Sequence, residues 1–168
     1  MFLPSQQVKS IFDINPTDLK EKGIKGIITD LDNTLVEWDR PDATPELKNW
    51  FQSMIENNII VTIVSNNNEE RVKAFADPVN IPFIFRAKKP MTRAFKQALI
   101  NMNLRQNEVV VIGDQLLTDV LGGNRMGIYT ILVVPISQSD GFVTRFNRKV
   151  ERSIMNKLKQ KGLIKWEE

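Results

Sequence analysis

The stretch GIITDLDNTLV, residues Gly26 to Val36, decides how the rest of this chain is expected to fold. Its β-branched run at residues 27–29 predicts a short buried strand. Two carboxylates, Asp30 and Asp32, end the run, and Thr34 follows them. Two acids at the end of a buried strand are costly to desolvate unless a positive charge lies between them, and a hard cation such as Mg2+ suits oxygen ligands. The alternative is a polar turn, because Asp and Asn favour turns.

Composition limits the chemistry that the chain can perform. Its 168 residues are 42% hydrophobic and 26% charged, as expected for one globular domain spanning 1–168. The absence of cysteine and histidine excludes disulfides, thiolate metal sites, histidine-based triads and the usual zinc sites. Catalysis must therefore use carboxylates, hydroxyls, lysine, arginine and a metal. No apolar stretch approaches the roughly 18 residues that cross a bilayer, and the N-terminus lacks a signal pattern, so we expect a cytoplasmic protein.

Strand-like and helix-like segments alternate along the chain. Apolar runs predict strands at residues 27–29, 59–64, 81–85, 109–112 and 129–134. Amphipathic segments between them predict helices at residues 45–57, 69–76, 91–102 and 118–124. This alternation predicts an α/β fold, a three-layer Rossmann-like parallel sheet of about five strands, with its core at about 24–135. Residues 1–23 are expected to form irregular segments or a short helix.

Polar side chains follow four of the predicted strands. Ligands bind at the carboxyl ends of the strands in an open α/β sheet, so these side chains are candidates for one site. They are Asp30, Asp32, Ser65, Asn66, Lys89, Asp114 and Asp119. Asp30 can act as a nucleophile on phosphorus, because a carboxylate can form an aspartyl-phosphate. Asp32 can protonate the leaving oxygen and then activate the water that hydrolyses the intermediate.

The same side chains divide into metal ligands and phosphate contacts. The expected Mg2+ ligands are Asp30, Asp32, Asp114 and Asp119, with Asp119 as an additional or outer carboxylate. The expected substrate-binding residues are Thr34, Ser65, Asn66 and Lys89, and Ser65 and Lys89 are also expected to be catalytic. The lysine supplies positive charge where negative charge accumulates in the transition state. Taken singly, each motif is an ordinary turn, helix cap or solvated charge pair, and only their joint placement at strand ends indicates a site.

The order of these motifs resembles the haloacid dehalogenase (HAD) superfamily of phosphohydrolases. The matching residues are Asp30, Asp32 and Thr34, then Ser65, then Lys89-Pro90, and finally Gly113-Asp114 with Asp119. The resemblance covers residues 26–134 and implies a HAD-like fold with Mg2+-dependent hydrolysis of phosphomonoesters through an aspartyl-phosphate. It leaves open whether Lys88 or Lys89 is the active-site lysine, and the proline that follows favours Lys89.

The spacing of the motifs bears on the substrate. The gaps between Asp32 and Ser65 and between Ser65 and Lys89 have no room for a cap domain, so we expect an open site. Capless relatives tend to act on phosphates presented by large molecules or surfaces. The stretches Asp-Leu-Asp-Asn-Thr-Leu-Val and Gly-Asp-Gln-Leu-Leu-Thr-Asp-Val resemble a small capless bacterial group that is similar to the phosphatidylglycerophosphate (PGP) phosphatases of mitochondria and chloroplasts. That similarity implies PGP, a lipid phosphate monoester, as the substrate.

The C-terminal part of the chain is basic and carries no catalytic motif. Residues 145–165 contain eight Lys or Arg and one acid, Glu151. Apolar residues at near-helical spacing predict a helix at about 141–162, and they are Phe142, Val143, Phe146, Val150, Ile154, Leu158 and Leu163. We expect this helix to pack on the sheet. The alternatives are contact with nucleic acid or with anionic membrane lipids, and the latter would add peripheral membrane association to the cytoplasmic location.

Other functions are compatible with parts of the sequence. Within the same chemistry, the basic tail is compatible with a nucleic-acid end phosphatase. A phospho-accepting signalling or binding module also gathers acids, a hydroxyl and a lysine around Mg2+, but it lacks an equivalent of Asp32. A scaffold with a vestigial pocket is disfavoured, because the candidate nucleophile, acid, lysine and metal ligands are all present. The oligomeric state is left open.

Overall fold

A computed structural model describes residues 1–137 and 142–163, with the side chains of the second range described from Arg148 onward. Its strands are β1 (Gln6–Val8), β2 (Gly26–Thr29), β3 (Ile60–Val64), β4 (Phe83–Ile84), β5 (Val109–Gly113) and β6 (Tyr129–Val133). They form one six-stranded sheet in the order β1-β6-β5-β2-β3-β4, and every pair is parallel. The predicted parallel α/β sheet is confirmed.

Among the described residues, the first five helices connect successive strands and the last one follows β6. They are α1 (Pro16–Glu21), α2 (Pro45–Glu56), α3 (Glu69–Ala76), α4 (Arg93–Met102), α5 (Leu121–Arg125) and α6 (Phe142–Gln160). A π-helical turn, Leu116–Val120, leads directly into α5. Among the helices of the described ranges, none combines the length and apolar character that crossing a membrane requires.

The central strands are buried on both faces. Ile27 and Val110 point into one apolar core, and their neighbours Ile28 and Val111 point into the other. Side chains alternate across a strand, so this division places helices on both sides of the sheet. The first core receives the apolar face of α2, as predicted, through Leu47, Trp50, Phe51 and Met54. The second core receives α4, and the three-layer architecture follows.

The sheet has six strands rather than about five, because residues 6–8 form an edge strand that the sequence did not indicate. Gln6 pairs with Ile131 at the start of the β1–β6 register. Ser5 and Thr130 reinforce this pairing, since each backbone N–H donates to the other's hydroxyl, at 3.2 and 3.1 Å. A Gln-Gln-Val segment shows neither alternation nor an apolar run, so the strand depends on a partner that is distant in sequence.

The other predicted elements are present with shifted ends. β4 is confined to Phe83–Ile84, which is shorter than the predicted run of residues 81–85. α4 begins at Arg93 rather than at residue 91, because a turn precedes it in which Met91 N–H donates to the Lys88 carbonyl at 2.9 Å. α2 begins at Pro45, as predicted, and Thr44 caps it, since Thr44 Oγ1 accepts from the Leu47 N–H at 3.1 Å.

The predicted C-terminal helix is present as α6, and it packs on the rest of the molecule. Ile154 and Met155 contact a small apolar cluster made of Leu116, Val120 and Leu132. Two residues that the helical spacing placed on the apolar face, Val150 and Leu163, are exposed. The predicted inward side chains of Phe142, Val143 and Phe146 lie outside the described residues.

The strand order reverses at β2, which lies between β5 and β3. Such a switch point is where open α/β sheets bind ligands. Asp30 follows β2, Asp114 follows β5 and Ser65 follows β3, so the sheet brings three of the predicted strand ends together. Residues 1–137 are all described, and no domain is inserted between these strands, in agreement with the predicted absence of a cap.

Candidate active site

A buried lysine lies among the acids at this edge of the sheet. Lys89 Nζ donates to Asp30 Oδ1 at 3.0 Å and to Asp119 Oδ1 at 2.6 Å, and its side chain is 2% exposed. Asn66 holds the backbone of Lys89 by accepting from its N–H at 2.7 Å and donating to its carbonyl at 3.2 Å. Lys88 is exposed. The fold therefore brings Lys89, and not Lys88, to the acids.

Three carboxylates converge beside this lysine. Asp30, Asp114 and Asp119 each offer an oxygen within 4.8 Å of the others. The Thr34 hydroxyl is within hydrogen-bonding reach of two of them, at 3.1 Å from Asp114 Oδ1 and 3.5 Å from Asp30 Oδ2. Gly113 permits this close approach, because a Cβ there would lie 2.1 Å from Asp119 Cγ. These three acids form what we call the acid cluster.

The acid cluster fits a divalent metal ion. Lys89 pairs with two of its members, and the Arg148 guanidinium pairs with Asp114. Two cations facing three carboxylates leave negative charge in excess, and buried like charges at this separation repel one another. A hard divalent ion bound by carboxylate oxygens removes that repulsion.

The protonation of the acid cluster reflects the same crowding. The pKa of Asp119 is raised to about 6, because burial and the Asp30 carboxylate together raise it more than the Lys89 ammonium lowers it. Burial and the charge of Asp30 raise the pKa of Asp114 well above its usual value, against the lowering effect of Arg148. Burial lowers the pKa of Lys89, but the carboxylates of Asp119 and Asp30 outweigh it, so the pKa is raised. Lys89 therefore remains a cation.

Asp32 has different partners, although it was predicted among the metal ligands. Its carboxylate accepts from Asn67 Nδ2 at 2.9 Å and from Arg71 Nε and Nη2 at 3.2 and 3.1 Å. It does not belong to the group of converging carboxylates, which contains Asp30, Asp114 and Asp119. The pKa of Asp32 is raised above its usual value. Burial is the largest cause and the Asp30 charge adds to it, while the hydrogen bond from Asn67 and the Arg71 guanidinium lower the pKa by less. A carboxyl group in this environment can both give and accept a proton.

Ser65 ends β3 with its hydroxyl fixed by the turn that follows. Its Oγ accepts from the Asn67 N–H at 3.1 Å, and its own N–H donates to the Ile84 carbonyl at 3.0 Å. A hydroxyl oxygen that accepts one hydrogen bond still carries an O–H donor. This geometry is compatible with the predicted phosphate contact of Ser65.

Three charged residues of the site were not predicted from the sequence: Arg71, Arg148 and Glu151. Arg71 lies 39 residues from Asp32, and Arg148 lies 34 residues from Asp114, so no local pattern connects either pair. For Arg71, the sequence does contain a helix-cap signal. Asn68 Oδ1 accepts from the Arg71 N–H at 2.9 Å, which fixes Arg71 in the first turn of α3, immediately after the polar end of β3.

Solved structures share this fold. The deoxy-D-mannose-octulosonate 8-phosphate phosphatase of Haemophilus influenzae, in its cobalt-bound form, matches with a TM-score of 0.58 over 75% of this chain and 76% of that chain, at 15% identity. An uncharacterised protein of Listeria monocytogenes serotype 4b matches with a TM-score of 0.56 over 69% of this chain and 84% of that chain, at 17% identity. At such identities the likeness shows the fold alone.

Sequence relatives indicate the class of enzyme. The probable phosphatase YqeG of Bacillus subtilis is 66% identical over 167 residues, which cover 99% of this chain and 97% of that protein. Together with the fold and the acids at the strand ends, this similarity defines a phosphatase of the HAD superfamily.

A family sequence model identifies the family of the chain. A sequence model described as mitochondrial PGP phosphatase matches residues 1–137, and the chain belongs to that family. The chloroplastic/mitochondrial PGP phosphatase 1 of Arabidopsis thaliana is 29% identical over 175 residues. That alignment covers 96% of this chain and 49% of the plant protein, so the chain spans about half the length of this relative.

Proposed function

We propose that this protein is a Mg2+-dependent phosphomonoester hydrolase that works through an aspartyl-phosphate on Asp30. The observation that carries the proposal is the position of Asp30, which lies in the acid cluster and pairs with the buried Lys89 at 3.0 Å. A carboxylate nucleophile next to a fixed cation suits attack on an anionic phosphate. When bound by Asp30, Asp114 and Asp119, the metal supplies Lewis-acid polarisation and charge neutralisation, and the all-oxygen ligand set favours Mg2+.

In the first step, a carboxylate oxygen of Asp30 attacks phosphorus. An O–P bond to Asp30 forms while the bond between phosphorus and the leaving oxygen breaks, and Asp32 gives its proton to that oxygen. Lys89 remains protonated and offsets charge on the phosphoryl oxygens, to which the Ser65 hydroxyl donates. Asn66 contributes through Lys89, whose backbone it holds.

In the second step, water attacks the phosphorus of the aspartyl-phosphate. Asp32, now a carboxylate, takes a proton from this water, the O–P bond to Asp30 breaks, and inorganic phosphate leaves. Hydrogen bonds from Asn67 and Arg71 stabilise the Asp32 anion between the two steps. The cycle ends with Asp30 ionised and Asp32 protonated, as it began.

The proposed substrate is a phosphate monoester presented by a membrane, with PGP as the specific candidate. The uncapped edge of the sheet supports this choice, since a headgroup phosphate can approach without a lid opening. The name of the plant relative also supports it. Exposed basic residues of the C-terminal segment, Lys149, Lys157 and Lys161, supply charge for peripheral contact with anionic lipid. Each such residue contributes about 1 kcal/mol near a lipid surface.

The test is phosphate release by the purified protein with Mg2+ and with EDTA. The substrates are PGP in mixed micelles, an aryl phosphate and a 5′-phosphorylated oligonucleotide, and Asp30→Asn is the matched inactive variant. We expect Mg2+-dependent release from PGP, weaker release from the aryl phosphate, and none from Asp30→Asn. Release from the oligonucleotide in preference to the lipid would replace the proposed substrate with a nucleic-acid end. Stable phosphorylation without turnover would replace the hydrolase with a phospho-accepting module.

A further inference from the structure

The C-terminal helix contacts the acid cluster from outside the part of the chain that matches the family model. That model matches residues 1–137, whereas α6 spans Phe142–Gln160. α6 nevertheless supplies two charged side chains, Arg148 and Glu151, to the strand-end turn that carries two of the three acids. Neither residue has a role in the two chemical steps proposed above.

Arg148 holds Asp114 at two points. Its Nη1 donates to the Asp114 main-chain carbonyl at 3.0 Å, and its Nη2 donates to Asp114 Oδ2. The other carboxylate oxygen, Oδ1, accepts from the Thr34 hydroxyl at 3.1 Å. Because both oxygens and the main chain are held, the Asp114 carboxylate has one orientation. A planar guanidinium can grip two acceptors in this way, whereas an ammonium acts as a point charge.

Glu151 holds the turn that carries Asp119. It is buried, and its Oε1 accepts from the Leu117 N–H at 3.0 Å, inside the π-helical turn. Its Oε2 lies 3.5 Å from Arg148 Nη1, so one ion pair links the two contacts. Asp119 belongs to the same turn, and its Oδ2 accepts from the Gln115 N–H at 3.3 Å. The helix is anchored there by the apolar contacts of Ile154 and Met155.

We propose that α6 forms part of the metal site, with Arg148 as the positioning residue for Asp114 and Glu151 as the residue that fixes the turn carrying Asp119. This inference rests on the metal site of the proposed function. Groups that orient metal ligands influence affinity strongly, and their loss typically costs about 10- to 100-fold in metal binding or activity. The opposite role, in which Arg148 competes with the metal for Asp114, predicts tighter metal binding when the arginine is removed.

The experiment measures Mn2+ binding to the full chain by isothermal titration calorimetry, without substrate. We expect Arg148→Met to bind Mn2+ about tenfold more weakly than the unmodified chain. The matched control is Arg152→Met, which removes the same charge from an exposed position one turn further along α6 and should leave the affinity unchanged. Arg148→Lys keeps the charge but loses the two-point grip, so its affinity should lie between those of Met and Arg. Thermal unfolding of each variant verifies the fold.

Each outcome discriminates between the possibilities. Unchanged or tighter Mn2+ binding by a folded Arg148→Met variant would overturn the positioning role, and full recovery in Arg148→Lys would reduce it to charge alone.

Glu151→Gln should also weaken binding, and adding it to Arg148→Met should cost less than the two single effects together, since the side chains act as a pair. If the unmodified chain binds no divalent ion, the proposed metal site fails and this inference fails with it. A kcat that recovers at saturating Mg2+ in Arg148→Met would support the positioning role.

Discussion

The site has two halves, which stabilise their carboxylates in different ways. The metal half is the acid cluster of Asp30, Asp114 and Asp119, and the proton half consists of Asp32, Asn67 and Arg71. In the metal half, one buried ammonium is shared between two acids, at 3.0 and 2.6 Å. In the proton half, one acid receives three hydrogen bonds from two side chains. Asp30 and Asp32 are separated by one residue, yet they belong to different halves.

This difference shows how two identical side chains acquire different roles. In the metal half, Asp30 and Asp119 share one compact ammonium, which acts as a point charge. A carboxylate oxygen that accepts one hydrogen bond keeps a further lone pair, so these oxygens can still bind a metal or attack phosphorus. A guanidinium and an amide fix the orientation of Asp32 and stabilise its anion, while burial favours its neutral form. The first environment suits a nucleophile and ligands, and the second suits proton transfer.

The largest expected effect comes from removing the nucleophile. Asp30→Asn should reduce phosphate release by at least about 10⁴-fold, because the amide cannot form the covalent intermediate. The change is nearly isosteric, so the melting temperature should stay close to that of the unmodified chain. Quantifying phosphate release against a no-enzyme blank provides the measurement. Substantial turnover by a folded, homogeneous Asp30→Asn sample would rule out the proposed mechanism.

Asp32→Asn tests the proton half. We expect a loss of about 10²- to 10⁴-fold with a lipid phosphate, because the leaving alkoxide needs a proton. The loss should be smaller with an aryl phosphate, since a good leaving group needs little protonation. The comparison is made from kcat/KM values of the two substrates. Equal losses on both would mean that Asp32 does not act as the general acid.

Lys89→Met tests the charge balance of the metal half, with Lys88→Met as the control from the adjacent exposed position. Removing the buried cation leaves the Asp30 and Asp119 carboxylates without their cationic partner. This loss should destabilise the metal-free protein by about 3–5 kcal/mol. Lys88→Met should unfold like the unmodified chain. Denaturant titrations in EDTA measure both variants, and a Lys89→Met variant as stable as its control would contradict the ion-pair account.

Removal of metal should affect stability through the metal half alone. At a concentration about 100 times its Kd, Mg2+ should raise the melting temperature by about 5–10 °C relative to EDTA, because it binds only the folded state. Asp114→Asn should lose most of this increase, whereas Asp32→Asn should retain it. Differential scanning calorimetry measures both. If Asp32→Asn lost the increase as fully as Asp114→Asn, the two halves would share the metal.

The smallest effect is expected at Arg71, which reaches the chemistry only through Asp32. Arg71→Met should lower kcat/KM about tenfold or less, because Asn67 still holds the Asp32 carboxylate. When combined with Asp32→Asn, the arginine change should have almost no additional effect. Additive losses in the double variant would show that Arg71 acts on the substrate independently of Asp32.

The sequence predicts the part of the site that depends on local pattern. Asp30, Ser65 and Asp114 each follow an apolar run, and the rule that parallel strands end at one edge brings them together. The rule could not tell which of Asp30 and Asp32 would lie among the other acids. That difference depends on side chains from other segments, which pair with one acid or the other. The same limit left Lys88 and Lys89 unresolved until the fold buried one and exposed the other.

What the sequence does not predict depends on contacts between distant segments. β1 has no strand signal of its own and forms against β6, more than 120 residues away. Arg148 and Glu151 occur in a basic segment whose charge suggested contact with anionic lipid or nucleic acid. Their positions in the site follow from where α6 packs on the apolar cluster. The helical spacing predicted that the helix would pack on the sheet, but not which residues it would meet.

Gly113 has a consequence for engineering. The Asp119 side chain packs directly against the Gly113 backbone at the end of β5. A single methyl group on Gly113 would occupy the same space, since the added carbon would lie 2.1 Å from Asp119 Cγ. Grafting this chemistry onto another parallel sheet therefore requires more than copying acids and a lysine. The recipient strand must end in a residue without a side chain, so the most restrictive position of the graft contributes no functional group.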